Sequence, residues 1–410
     1  KGDWREIDKR LQVYEKPCLS HETGIYGSYM DLELEDRYIG TRIGTELYSS
    51  LREYLKREGV LSKANLYYKN SCAWMRIMRK HNLEMARKCK NVAGYNYLGA
   101  IDHHWHRTGY PSGIMNEFYE MKPGETVADV LKYNGESVLL LDHSNMRNFY
   151  YGDTIRFDIL ASLFGNEPLC EGILSWYLAD EQGEIYVSDK KQVFNIENGQ
   201  VNKVAEIKLD IPTLNKPSKL TIHARLQGDE YDISNDWNIW AFPRLSREYI
   251  DIPNRVENMD IQSQTEYIDI PSETGTVHDS NRTDNICIPG KNDKISMPGR
   301  VDNLRIVNQI DYDVLRFLCE GGRVLLLGSR PFKSLPVSFQ LMSAGRPFGN
   351  YATVIYEHPV IRDFPHDGYC DWQFYSMMQD SQAVLFNDLD IPFEPIIEVV
   401  SSFKSVKKQA

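Results

Sequence analysis

Glu22, within Lys16-Pro-Cys-Leu-Ser-His-Glu-Thr-Gly-Ile-Tyr26, stands where a carboxylate can do chemistry. A short apolar strand over Pro17 to Leu19 runs straight into His-Glu-Thr-Gly. The acid is thereby expected at the carboxyl end of a strand, where parallel α/β barrels keep their reactive groups. A carboxylate so placed can attack an anomeric carbon. Retaining cleavage of that kind uses two carboxyl groups about 5–5.5 Å apart, one attacking and one protonating the leaving oxygen. The attacker must be ionised and rigidly aimed, which a strand end provides better than a loop. Its partner needs a pKa held up by its surroundings. The plain alternative is a strand-end glutamate that caps the next turn or pairs with a surface base.

Asp102-His-His-Trp-His106 is the second concentration of functional side chains. Imidazoles beside a carboxylate are common metal ligands. On a strand, however, alternate residues face opposite sides, so Asp102 and His104 can share a face that His103 cannot. No further Cys or His pair lies nearby in sequence, so neither metal nor cofactor is expected. A polar, aromatic-lined sugar site is the better reading. Gly321-Gly322-Arg-Val-Leu-Leu-Leu-Gly328 invites a phosphate-loop reading, but the glycines precede the strand, whereas a phosphate cradle needs them after it. Cys319 and Cys370 lack the sharp strand-to-helix turn of an activated thiol. Asn235-Asp-Trp-Asn-Ile-Trp240 alternates so that one Trp falls on each face, which suits packing.

The elements that must position these groups follow from periodicity. Helices are expected over Thr41 to Glu58, with Ile43, Leu47, Leu51 and Leu55 four apart and Gly59 as the stop, and over Ala64 to Lys90. A strand, Gly94 to Ile101, then runs into Asp102, and a short helix covers Thr126 to Tyr133. This alternation over residues 1–136 is barrel logic with only two strands, whereas eight close such a barrel. Open edges require completion from upstream sequence or another chain. Residues 137–245 change to short runs, several of them alternating in polarity and separated by Gly, Pro, Asn and Asp: Val138 to Asp142, Thr154 to Leu160, Gly172 to Leu178, Val204 to Leu209 and Leu220 to Leu226. That pattern indicates an immunoglobulin-like β-sandwich. Residues 246–303 are polar, with a small echo at Glu248 to Pro253 and Glu266 to Pro271, and read as a linker or insertion. From 304 to 410 an α/β pattern returns: Asp311 caps a helix that stops at Gly321-Gly322, and Val324 to Leu327 reads as a buried strand.

Bulk composition narrows the partners. The chain has 410 residues, 42% hydrophobic and 26% charged, enough for roughly two to four domains. Its net charge of −11 argues against a nucleic-acid surface, which wants clustered Lys and Arg. The 25 Tyr and 7 Trp suit sugar faces as well as ordinary cores. Seven irregularly spaced Cys make neither a disulfide framework nor a metal cage. No apolar run approaches the roughly 20 residues of a membrane span, and no signal peptide is visible. The opening Lys1-Gly2-Asp3-Trp4 reads as that of a processed or truncated piece.

Three stretches in order carry a resemblance: Lys16 to Glu22; Gly94 to Asp102 with Gly109 to Tyr119; and Asn235 to Pro243, followed by Glu357 to Pro365 and Asp371-Trp-Gln373. Together they resemble the carboxyl-terminal half of family-2 glycoside hydrolases, relatives of bacterial β-galactosidases and β-glucuronidases. The resemblance spans nearly the whole chain except 246–303. It implies the end of a TIM barrel, an immunoglobulin-like sandwich, and an open α/β domain like the glutamine-amidotransferase fold. It further implies a retaining exo-glycosidase with Glu22 as nucleophile on barrel strand seven. His21, Tyr26, Asp102, His103, His104 and Trp105 would contact substrate. The general acid of the family lies upstream of Lys1, so no residue here takes that role. Gly99 and Ile101 depart from the polar residues usual in strand eight. The implied partners are a carbohydrate and the missing barrel half, and a homo-oligomer is compatible. A periplasmic or extracellular bacterial setting fits best, and a cytoplasmic one is compatible. The competing reading is a non-catalytic carbohydrate-binding or assembly protein with a degenerate barrel.

Overall fold

The computed structural model describes residues 4–102, 111–144, 146–228, 230–244, 303–337, 339, 352–379, 381–385 and 394–400. Contacts divide the chain into two compact units, Lys1–Arg244 with Leu335–Ala410, and Leu245–Ser334. The described residues are mostly β, in several separate sheets, with some helices.

The first unit opens with α1 (Trp4–Leu11), β1 (Cys18–Thr23), α2 (Glu46–Arg57), α3 (Ala64–Lys88) and β2 (Val92–Tyr97). α2 starts later than its apolar spacing suggests, because Gly44 takes a left-handed φ of +74° and interrupts the run. α3 buries Cys72, Trp74, Met75, Met78 and Leu83. β1 and β2 pair in parallel, with Leu19 opposite Gly94 and Thr23 opposite Tyr97. Both strands therefore end at the same edge. β2 stops short of the expected Ile101. Gly99 turns there at φ +106°, and a methyl on it would lie 2.9 Å from the Ser112 carbonyl oxygen. α4 (Val127–Asn134) is capped by Thr126, whose hydroxyl accepts the Asp129 N–H at 3.0 Å.

Eight strands follow: β3 (Val138–Asp142), β4 (Asn148–Tyr150), β5 (Thr154–Leu163), β6 (Leu169–Asp180), β7 (Ile185–Ile196), β8 (Gln200–Asp210), β9 (Ser218–Gly228) and β10 (Tyr231–Phe242). They form a five-stranded sheet in the order β4-β10-β9-β6-β7 and a three-stranded sheet β3-β5-β8. One apolar core draws on both sheets, with Leu139, Ile159, Leu174, Leu178, Leu209 and Leu220 wholly buried. Alternation explains much of it: β9, for example, buries every second residue from Leu220 to Leu226.

In the second unit, β11 (Leu304–Gln309) and β12 (Arg323–Arg330) pair in parallel, connected through α5 (Tyr312–Cys319). Asp311 accepts the Val314 N–H at 2.9 Å, and Gly321 follows the helix at φ +86°. The run Val324 to Leu327 is a strand, but not the buried one its composition suggests: Leu325 and Leu327 are exposed.

Residues from Leu335 onward return to the first unit through β13 (Ser334–Val337), β14 (Val354–Ile355), α6 (Tyr375–Met378), β15 (Ser381–Val384) and β16 (Ile397–Glu398). Phe339, Val354, Ile355 and Phe374 share a core with Tyr48, Leu55, Trp74 and Met78 of α2 and α3. The Asn70 amide donates to Thr353 O and Gly368 O, both at 3.0 Å. Glu398 accepts from Lys63 at 2.6 Å and from the Tyr67 hydroxyl at 2.5 Å. Among the described residues, no helix is long and apolar enough to cross a membrane.

Candidate functional site at the shared strand ends

Glu22 lies at the carboxyl end of β1, one residue before Thr23 pairs with Tyr97. Its backbone is left-handed, φ +52°, a conformation costing a residue with a side chain about 1–2 kcal/mol. Such outliers cluster at sites where geometry is over-determined. The side chain is half exposed, and His21 Nε2 approaches one carboxylate oxygen at 3.6 Å. Two hydroxyls, Ser20 Oγ and Thr23 Oγ1, meet at 2.5 Å across the turn.

Tyr26 points the other way. Its ring meets Trp74 edge-on at 5.2 Å, and its hydroxyl accepts from the Asn82 amide. Burial pushes its pKa up to about 12, the Asn82 contact opposing. This tyrosine is therefore part of the packing behind the turn. Asp102 is turned inward as well. Oδ1 accepts the Gly113 N–H at 2.7 Å and lies 2.8 Å from Lys122 Nζ, which also donates to Ser28 Oγ and Pro111 O. Burial raises the Asp102 carboxyl above its ordinary range, although Lys122 pulls it down. His103, His104 and Trp105 lie outside the described residues. Of the expected set, the structure thus joins Glu22 to His21, and brings the ends of β1 and β2 to one edge.

A buried polar network that periodicity did not single out backs this edge. Arg79 Nη1 pairs with Glu125 at 2.7 Å, and Tyr133 lies at 3.4 Å. Glu117 accepts from the hydroxyls of Tyr38 and Tyr48 at 2.6 and 2.8 Å. One signal was available: Arg79 falls on the same stripe of α3 as Cys72, Met75 and Leu83, where an arginine is out of place. Further along α3, Glu84 accepts from Lys80, Asn235 and Trp237 at 2.9, 3.0 and 3.1 Å. Burial pushes that carboxyl up, but Lys80 and Lys88 outweigh it and hold it below the usual range. This is the contact that occupies Asn235 and Trp237, so the alternation read there serves packing. Among the described residues, no group of three His, Cys, Asp or Glu is placed to hold a metal ion.

Two family models match parts of the chain. Residues 153–243 match a Domain of unknown function (DUF8488), and residues 305–410 match a Domain of unknown function (DUF8487). No curated protein matches the sequence. Among solved structures, a family 123 glycoside hydrolase from Clostridium perfringens overlaps 26% of this chain and 28% of its own, at 13% identity and a TM-score of 0.19. The CARDB domain of a Pyrococcus furiosus protein overlaps 26% of this chain and 96% of its own, at 9% identity and a TM-score of 0.20. A putative β-galactosidase from Bacteroides fragilis overlaps 25% of this chain and 15% of its own, at 13% identity and a TM-score of 0.19. Overlaps this small assign neither family nor activity. The chain spans under a third of either hydrolase.

Proposed function

We propose that the chain carries the nucleophile of a retaining exo-glycosidase that hydrolyses a terminal bond of an oligo- or polysaccharide. The observation carrying this reading is the left-handed turn at Glu22, set at the carboxyl end of a parallel strand beside the end of its neighbour. In this proposal residues 1–136 are the last part of a TIM barrel, 137–245 an immunoglobulin-like sandwich, 246–303 a linker, and 304–410 an amidotransferase-like accessory region. Glu22 attacks the anomeric carbon and forms a glycosyl ester. A carboxylic acid from outside this segment protonates the leaving oxygen and then activates water. His21, beside the carboxylate, orients it or a sugar hydroxyl. Asp102 fixes the start of the stretch bearing His103, His104 and Trp105, which would form the sugar subsite, with Tyr26 packed behind.

A second reading has an observation of its own. Glu22 is half exposed and has only His21 as an ion-pair neighbour among the described residues, which also suits a non-catalytic carbohydrate-binding or assembly role. Hydrolysis of a panel of aryl glycosides by wild type and Glu22→Gln separates the two. The nucleophile assignment expects turnover to be lost with an unchanged melting temperature. Near-wild-type hydrolysis by Glu22→Gln ends it.

A further inference from the structure

We infer that Arg79 is the positioning residue for Glu22, an inference that rests on the glycosidase reading above. The left-handed Glu22 needs a floor that forbids relaxation, and the next residue but one shows what that floor is. Gly24 is itself left-handed, at φ +80°, and a methyl on it would lie 3.5 Å from both Arg79 Cγ and the Tyr97 ring. The turn is thus seated on the aliphatic stem of the arginine. The far end of the stem is fixed too. Nη1 holds Glu125 at 2.7 Å, with neither side chain more than 2% exposed, and the Tyr133 hydroxyl is at 3.4 Å. Tyr97, the other half of the floor, is tied down through its hydroxyl to Gly99 O at 2.9 Å.

Stability alone does not account for an arginine here. Nε and Nη2 are buried without an acceptor among the described residues. Apolar side chains of similar volume often replace a buried ion pair at no loss of stability. What a charged head adds is a directional pairing with Glu125 that fixes the direction of its own stem. A nucleophile displaced by a fraction of an ångström loses rate while its ligand still binds.

The test uses the protein together with the barrel half that the glycosidase reading places outside this segment, and a panel of cyclitol aziridines, which esterify a glycosidase nucleophile. The modified peptide is mapped by mass spectrometry, and kinact and KI are measured separately. The variants are Arg79→Met with Glu125→Leu, which removes both charges together, and Arg79→Lys, which keeps the stem and the pairing. Expected is a folded double variant whose kinact on Glu22 falls about tenfold or more with KI unchanged, and substantial recovery of kinact in Arg79→Lys. If the double variant does not fold, Glu125→Gln loosens the head and should show the same split, to a smaller extent. Labelling of Glu22 with kinact unchanged, or with kinact and KI lost together, overturns the positioning role alone. Absence of any label on wild-type Glu22 overturns the nucleophile assignment, and this inference with it.

Discussion

The two-sheet region and the α3 region of the first unit are held by different means. Between the sheets, β5, β6, β8 and β9 bury aliphatic side chains such as Leu174, Leu178, Leu209 and Leu220. Their ion pairs, such as Arg156–Glu206 and Arg225–Asp232, stay on the surface. Around α3, charges go inside: Arg79–Glu125 and Lys122–Asp102 are both almost wholly buried. Apolar contacts are non-directional and tolerate sliding, whereas a buried pair is costly unless its geometry is met. The first region is therefore built for stability, the second for fixed placement at the ends of β1 and β2.

The largest expected effect tests the second half of that contrast. Lys122→Met strands the Asp102 carboxylate in the interior, and denaturant unfolding should show a loss of about 3–5 kcal/mol. Adding Asp102→Leu should return most of it. If the single variant is as stable as wild type, the charges around α3 are not holding the structure. Leu174→Ala probes the apolar half and should cost about 2–5 kcal/mol through the cavity it leaves, with no partner mutation able to repair it.

A smaller, pH-dependent effect sharpens the contrast, because two buried titratable groups flank Trp372 with opposite signs. Burial pushes the Asp371 carboxyl up to about 6, although the Trp372 N–H and Lys219 oppose this. Its folded pKa is raised, so its stabilisation is complete below an ordinary aspartate pKa and is lost as pH rises through 6. The full swing is on the order of 3 kcal/mol. His81, edge-on to Trp372 at 4.8 Å, is pulled down to about 3 by burial, with Lys88 adding to it. Its contribution is present above its ordinary pKa and is lost as pH falls toward 3. Between about pH 4 and 6 the two slopes oppose each other, so melting scans should rise more steeply with pH in Asp371→Asn and should flatten or fall with pH in His81→Gln. Identical profiles for both variants would show that neither group titrates as buried. Smallest of all, Arg225→Ala removes an ion pair whose two side chains are both more than half exposed, and the melting temperature should not move.

Legibility in the sequence followed this division. Strands with one apolar face, such as Ser218–Gly228 and the first half of Thr154–Leu163, declare themselves by alternation, and Thr126 and Asp311 declare helix starts by chemistry. β7 did not, because Asp189, Lys190, Lys191 and Gln192 make most of it read as loop, although it pairs with β6 along its whole length. At the candidate site, the strand and Glu22 were readable, but the turn was not, since a left-handed glutamate has no sequence signature. Arg79 lies 46 residues before its partner Glu125, and Asp102 well before its partner Lys122, so both pairs act only through tertiary contact. Packing of Phe339, Val354 and Phe374 against α3 was hidden for the same reason.

The Asn70 amide, shared between the carbonyls of Thr353 and Gly368, sets a clock on biosynthesis. Thr353 leaves the ribosome 283 residues after Asn70, which at ordinary translation speeds means a wait of roughly 15–60 s. For that interval the nascent polypeptide shows solvent the hydrophobic flank of α3 that Val354 and Phe374 eventually cover. A cell making this protein has to shield that flank with a chaperone or hold the early segment unfolded until the late one arrives.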